Sequence, residues 1–500
     1  MSTNHRLFNE AGNQLFSELI EIQNWEAAID DTLDASAQFD RFSTIYKEIY
    51  EKSYPLKENR NRRRNERPNP KPWVLPWLED ACARKNKLFA ESIVNPSDTL
   101  TIKYKKLNKF CRKHTNLAKQ KYYKKYFEQH KSNSIKQWQM INQLLNRGKQ
   151  KRDPIRLKDP EGSISSTPLS VAEKFNTYFS SIAANLKAKN NESMCKDPQD
   201  PVQNFTKFLK NSAQCSMFLE PTHSEEVGEI IASLKNKATL DTKITALKSA
   251  GKSTSFTGTI ATLVNNSFMQ GCFPEALKTA RVVPIHKGGT KSDVANYRPI
   301  SLLSTFSKIY EKLMHTRLIG YFDSNNLLYD AQFGFRPGRS CEHALLTAQK
   351  HLLNSMSRKQ VSLLLLIDFS KAFDVIEHST LLTKLRHYGV RGIVLEWFKS
   401  YLEGRTQFVT IESADSEPRS IQYGVPQGSI LGPLLFVIYI NDMPNISSIA
   451  KFILYADDAN IIVTADTLEN AYDKLETLTS SLISWVSLNG ICLNLKKLIT

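Results

Sequence analysis

The sequence predicts an α+β protein: a small sheet backed by helices in a split βαβ order fills the carboxyl-terminal half, and a basic helical region precedes it. Three observations carry this prediction. Residues 452–463 hold two apolar, strand-like runs that meet at adjacent carboxylates, Asp457 and Asp458. Residues 361–367 form a near-continuous apolar run that ends on a third carboxylate, Asp368. Between positions 101 and 152, sixteen Lys or Arg residues stand against a single acid, Glu128, and this stretch holds most of the +17 net charge.

The chain reads in order as follows. Residues 1–70 form a polar, partly helical and partly flexible lead-in that ends in the Arg60–Arg64 basic cluster. Residues 71–152 have a helical pattern in which Lys105, Lys106, Lys109, Arg112, Lys113, Lys121, Lys124 and Lys125 are interleaved with Tyr104, Phe110, Tyr122, Tyr123, Tyr126 and Phe127. Lysines neutralise phosphates and aromatics stack on unpaired bases, so this is a candidate nucleic-acid-binding region; the alternative is that the rings pack on a neighbouring helix. Residues 153–170, rich in Pro, Ser and Gly, read as a linker. Helices are expected at 171–186, 225–234 and 258–269 within a helical extension spanning 171–279.

From 280 onward strands and helices alternate. A strand at 280–287 is followed by a loop and a second run at 296–303, with Lys287 and Arg298 placed to reach one triphosphate, or simply to stand as surface cations. A helix at 305–321 comes next. The buried strand at 361–367 precedes a helix at 381–388, strands at 406–411 and 419–423, an apolar helix at 430–439, the acidic hairpin, and an amphipathic helix at 468–488. A carboxylate just past a buried strand is well placed to meet the hairpin tip. Like charges about 4 Å apart repel by roughly 4 kcal/mol at an effective dielectric of 20, so three such carboxylates call for cations, with divalent metal the obvious candidate.

Composition narrows the class. With 500 residues, 41% apolar and 23% charged, the chain is long enough for two or three domains of ordinary globular type. Its longest apolar runs, 363–367 and 431–440, are far shorter than a membrane-spanning helix, and the opening Met1-Ser2-Thr3-Asn4-His5-Arg6 lacks the apolar core of a secretory signal. The seven cysteines include no CxxC pair, which fits neither a disulfide framework nor a zinc site and favours a reducing compartment. His286 and His378 lack metal-pair spacing, and Asp374 and Asp442 read as local hydrogen-bonding residues.

Seven motifs occur in a fixed order: Asn296-Tyr297-Arg298-Pro299-Ile300-Ser301-Leu302-Leu303, Gln332-Phe333-Gly334-Phe335-Arg336, Asp368-Phe369-Ser370-Lys371-Ala372-Phe373-Asp374, Gly424-Val425-Pro426-Gln427-Gly428-Ser429, Leu431-Gly432-Pro433-Leu434-Leu435-Phe436, Tyr439-Ile440-Asn441-Asp442 and Tyr455-Ala456-Asp457-Asp458. This set resembles the reverse transcriptase of non-LTR, LINE-type retrotransposons, nearest the jockey-like group. The resemblance implies the fingers and palm of a right-hand polymerase over 280–500. It implies RNA-directed DNA synthesis, with an RNA template, a DNA primer and dNTPs as partners and two Mg²⁺ ions, or Mn²⁺, as cofactor.

By position, the resemblance makes Asp368 and Asp457 ligands of both metals, with Asp458 nearby and less directly involved. It makes Phe373 the steric gate beneath the sugar, lays Gln427 and Gly428 against the incoming nucleotide and template, and assigns Lys287 and Arg298 to the triphosphate. Lys497 matches the lysine placed near the leaving pyrophosphate, although Leu498 replaces the usual threonine.

The sequence also departs from the pattern. A glycine normally found between Thr239 and Leu240 is missing, and 243–256 reads irregularly. The sequence stops at Thr500, so the expectation is fingers and palm with the thumb missing, in a fragment of a longer element protein whose endonuclease is supplied elsewhere. Two other readings stand beside the leading one: an RNA-dependent RNA polymerase, and a decayed or truncated, catalytically weak RNA-binding fragment. The expected location is intracellular, in nucleus and cytoplasm, with Arg60–Arg64 as a candidate nuclear address.

Overall fold

The computed structural model describes residues 5–6, 8–30, 32–57, 72–131, 133–145, 155–158, 164–193, 205–210, 212–234 and 241–494. They fall into two compact units, one taking in residues 58–154 and the other residues 5–57 with 155–500.

The smaller unit is helical. Pro76 opens the Pro76–Val94 helix, where its missing N–H costs nothing. The Asp98–Gln129 helix follows, and Asn133 caps the Ser134–Leu144 helix by accepting from Lys136 N at 3.1 Å. Burial here is sparse: within the first two helices only Leu78 and Cys111 are buried.

The larger unit holds the main core. Its first two helices, Glu10–Ile22 and Ala35–Ser53, lie in the expected partly helical lead-in and contribute an apolar face to the main core. Phe16, Ile20, Phe39 and Phe42 recur at helical spacing and are buried in the main core, together with Trp25 between the helices. The polar residues that dominate the composition lie on the outer faces. Residues 243–256, read as irregular, hold most of the Asp241–Ala250 helix and the start of the Thr254–Gln270 helix. The Arg419–Ser420 strand is shorter than the 419–423 expected, and Leu493 forms an isolated bridge with Phe369.

Two sheets organise the polymerase-like half. One has five strands, with Thr279–His286 lying between Tyr297–Leu302 and Thr406–Ile411. The other has three: Asp458–Ala465 lies between Ala450–Tyr455 and Val361–Asp368 and pairs antiparallel with both. The outer two strands therefore run parallel with the hairpin's return strand between them, which is the split βαβ order.

Val361–Ile367 is apolar without alternation because both faces of this sheet are covered. Leu365, Ile367, Ala459 and Ile461 face the main core with Leu478, Leu482 and Trp485 of the Leu468–Leu488 helix. Ile453 and Ile462 face a second cluster with Phe333 and Ala344, the latter from the Cys341–Ser357 helix. Among the described residues no helix is long and apolar enough to cross a membrane.

Beneath this sheet, Lys384 and Asp442 form an ion pair of 2.7 Å with both side chains fully buried. Lys384 Nζ also donates to Tyr439 O and lies over the Tyr439, Trp485 and Phe205 rings. Asp442 is thus a buried hydrogen-bonding residue tied to a lysine 58 positions away.

Candidate active site

Pairing register places the carboxylates. Asp458 lies directly opposite Asp368 across the antiparallel strands, so both side chains leave the same face of the sheet. Tyr455 pairs with Asp458, leaving Ala456 and Asp457 as a two-residue hairpin loop. Ala456 has φ +56° and Asp457 does not have positive φ, the pattern of a type II′ turn, whose first central position normally carries glycine. An alanine there stores on the order of 1 kcal/mol of backbone strain.

The turn is held by a segment far away in sequence. Phe333 N donates to Leu454 O at 2.8 Å and Leu454 N to Ala331 O at 2.9 Å, so residues 331–333 run along the hairpin's outer strand. Gln332, almost fully buried, accepts from Gly334 N at 2.8 Å and from Ala456 N at 3.2 Å through the same oxygen. Gly334 lies so close that a Cβ there would sit 2.9 Å from both Cα and Cβ of Ala456. The Gln-Phe-Gly motif therefore clamps the turn that presents Asp457.

On the other side of the sheet, Asp368 Oδ2 accepts from Asn494 Nδ2 at 2.7 Å, and Asn494 N donates to Asp368 O at 2.9 Å. Lys497 lies outside the described residues.

The donor chemistry suits a hard divalent cation. Like charges directly opposite one another on a sheet repel, and carboxylate oxygen is the donor that a hard divalent cation takes. Among the described residues no group of three or more His, Cys, Asp or Glu side chains forms a ready-made cage. An open site of this kind fits Mg²⁺, which is usually held by one or two carboxylates and completed by water and substrate phosphates.

The remaining sequence-predicted residues lie on the turn after Asp368, on the loop before the Leu431–Tyr439 helix and on the five-stranded sheet. Phe373 packs on Phe436 with ring centroids 4.9 Å apart and meets Phe335 edge-on at 6.2 Å. Gln427 O accepts from Ser301 N at 2.8 Å, which joins its loop to the five-stranded sheet. Gly428, at φ +125°, follows, and a Cβ there would lie 2.6 Å from Ser301 O, so only glycine allows this approach. Lys287 and Arg298 are exposed at the tip of the Thr279–His286/Tyr297–Leu302 hairpin, and Lys287 N donates to Asn296 O at 2.9 Å.

Two further residues join this group: Asp374, expected to be a local hydrogen-bonding residue, and Lys371, which sequence reasoning passed over. Gln427 Nε2 donates to both carboxylate oxygens of Asp374, at 2.8 and 2.9 Å. Burial pushes the Asp374 carboxyl up to about 6, opposed by the Gln427 hydrogen bonds and the Lys371 cation. Lys371 is itself lowered by burial, and the nearby Lys287 and Arg298 add to that while Asp374 opposes it. Lys371 gave no signal beyond its membership in the Asp368–Asp374 motif.

In the helical unit, Lys105, Lys106, Lys109, Arg112, Lys113, Lys121, Lys124 and Lys125 are all exposed. The aromatics divide between the two readings. Phe110 meets Trp77 at 6.4 Å and Tyr104 meets Phe89 at 5.2 Å, so these rings bridge the two long helices. Tyr122, Tyr126 and His130 form a row along one helix instead, with Tyr126 and His130 stacked at 4.4 Å.

A split βαβ sheet with facing carboxylates at its strand ends defines the palm of a template-directed polymerase, and residues 285–499 match the family described as reverse transcriptase (RNA-dependent DNA polymerase). That segment is a reverse transcriptase domain. The curated relatives that match the chain are polymerases of mobile elements, jockey among them. The chain is 32% identical over 293 residues to a probable RNA-directed DNA polymerase from transposon BS of Drosophila melanogaster, covering 55% of this chain and 32% of that protein. It is 29% identical over 356 residues to the RNA-directed DNA polymerase from mobile element jockey of the same organism, covering 68% of this chain and 37% of that protein. A third relative, from transposon X-element, is 28% identical over 360 residues, covering 68% and 38%. The chain thus spans about a third of the length of these curated relatives.

Proposed function

We propose that this chain is an RNA-directed DNA polymerase that extends a DNA 3′-end on an RNA template with dNTPs. The observation that carries the reading is the pairing of Asp368 opposite Asp458, with Asp457 on the clamped turn beside them. In this reading Asp368, Asp457 and Asp458 hold two divalent ions, Mg²⁺ or Mn²⁺. When bound, such ions stabilise charge on the attacking and leaving oxygens of an in-line phosphoryl transfer. Lys287 and Arg298 hold the triphosphate, Lys as a point charge and Arg as a fork. Phe373 forms the wall beneath the sugar and favours deoxynucleotides by excluding a 2′-hydroxyl, supported by its packing on Phe436. Gln427 and Gly428 lie against the nucleotide and template, and Lys497 near the leaving pyrophosphate.

The exposed cations between Lys105 and Lys125 bind nucleic acid backbone in this reading, along the 32-residue Asp98–Gln129 helix. An endonuclease is supplied by another segment or another chain, and the product is made in the nucleus or cytoplasm.

Primer extension on poly(rA) with an oligo(dT) primer and Mg²⁺ tests the proposal. The native chain should extend the primer, and Asp457→Asn should lower the rate on the order of 10³-fold, since it removes an ion ligand acting on the transition state. Equal inactivity of both proteins, with tight RNA binding retained, would leave an RNA-binding fragment in place of an enzyme.

A further inference from the structure

We infer that Asp374 is a positioning residue for nucleotide selection: its carboxylate fixes the Gln427 side-chain amide so that the carbonyl oxygen, and not the amino group, is offered to the incoming nucleotide. The clamp stands on geometry alone, whereas its consequence for nucleotide selection rests on the polymerase reading above.

An amide side chain can turn over and exchange its donor and acceptor ends at little steric cost. An ionised carboxylate has no donor to offer. With both Asp374 oxygens 2.8 and 2.9 Å from Gln427 Nε2, only the amino end can face them, and the carbonyl end points the other way. Hydrogen bonds to a charged acceptor are about twice as strong as neutral ones, so the flipped amide, which would set oxygen against oxygen, is strongly disfavoured.

Both partners have fixed backbones. Asp374 N donates to Lys371 O at 2.8 Å, Val425 N to Phe373 O at 2.9 Å, and Ser301 N to Gln427 O at 2.8 Å. Lys371 completes the device. Its Nζ is buried with no hydrogen-bond partner among the described residues, yet it stands near enough to Asp374 to favour the ionised carboxylate. It supplies charge without taking either oxygen away from Gln427. The same turn carries Phe373 between these two residues, so the sugar wall and the amide clamp are parts of one four-residue element that begins three positions after Asp368.

The test combines a direct reading of the amide with nucleotide kinetics on the full chain. With ¹⁵N-labelled glutamine side chains, the Gln427 amide pair is assigned by its loss in Gln427→Ala. It should be displaced from the free-glutamine position in the native chain and return towards it in Asp374→Asn. In primer extension, Asp374→Asn should raise KM for dTTP about tenfold and more than it lowers kcat. In the Gln427→Ala background it should add nothing further, because it acts only through that side chain.

A Gln427 amide already at the free position in the native chain, or Asp374→Asn and Gln427→Ala effects that multiply, would overturn the inference. A native chain that extends no primer would sink the polymerase reading instead, and the amide spectrum would still decide the clamp.

Discussion

The two units of this chain use polar residues in opposite ways. In residues 72–145 most of the cations are exposed and spread along the long Asp98–Gln129 helix, and few side chains are buried beneath them. In the reverse transcriptase domain the informative polar groups are few, enclosed and paired across long stretches of chain: Gln332 with Ala456, Asp374 with Gln427, Lys384 with Asp442. The first arrangement tolerates change at any one position because each charge acts nearly alone. The second does not, because removing one partner strands the other where water cannot replace it.

That difference is sharpest at Lys384. Its pair with Asp442 is fully buried, and among the described residues Asp442 Oδ2 has no hydrogen-bond partner of its own. Lys384→Met should destabilise the domain by about 3–5 kcal/mol, read as a fall in the denaturation midpoint, because Asp442 is left charged and unpaired. Adding Asp442→Leu should recover much of the loss, since a buried pair is often replaceable by apolar groups of similar volume. A single substitution costing under about 1 kcal/mol would place this lysine with the exposed ones and break the contrast.

The next effect is on chemistry more than on stability. A methyl group on Gly334 cannot fit against Ala456, so Gly334→Ala must displace the turn bearing Asp457. Misplacement of a reacting group by about 1 Å costs on the order of 10²-fold in rate, and primer extension by Gly334→Ala should fall by about that factor. Wild-type extension by this variant would show that the turn is held by its own hairpin and not by the Gln332 segment.

These long-range pairs also mark the limit of what the sequence discloses. The acidic hairpin was legible because apolar, β-branched runs flank a short polar interruption, and the Val361–Asp368 strand because a near-continuous apolar run ends abruptly on a carboxylate. The Leu468–Leu488 helix was legible from its amphipathic period. Gln332 gave no such signal: its partner Ala456 lies 124 positions away, and nothing in local periodicity reports a contact at that distance. The inner face of the helices within residues 10–53 was hidden for another reason. Their polar faces outweigh the buried Phe16, Phe39 and Phe42 in composition, and only the spacing of those rings reveals the inner face. The roles of Phe373 and Gln427 came from resemblance alone, whereas the Asp374 contact that orients Gln427 required coordinates.

The smallest expected effect belongs to the basic helix. Lys124 and Lys125 are exposed, adjacent and near the row formed by Tyr122, Tyr126 and His130. If each lysine meets one phosphate of a single strand, binding should weaken with salt, and the slope of log K against log salt should become shallower by about 0.7 for each lysine removed. Lys124→Ala should therefore lower RNA affinity modestly, by an amount that shrinks as salt rises, and Lys124→Ala with Lys125→Ala should change the slope by about twice as much. Fluorescence anisotropy with a labelled single-stranded RNA between about 50 and 200 mM KCl reads both quantities, a range over which counterion release dominates. Independent charges predict this additivity, because no lysine in the pair depends on the other for its position. A double variant no weaker than the single, or a slope that does not move, would mean that these cations are solvated surface and that nucleic acid is held by the reverse transcriptase domain.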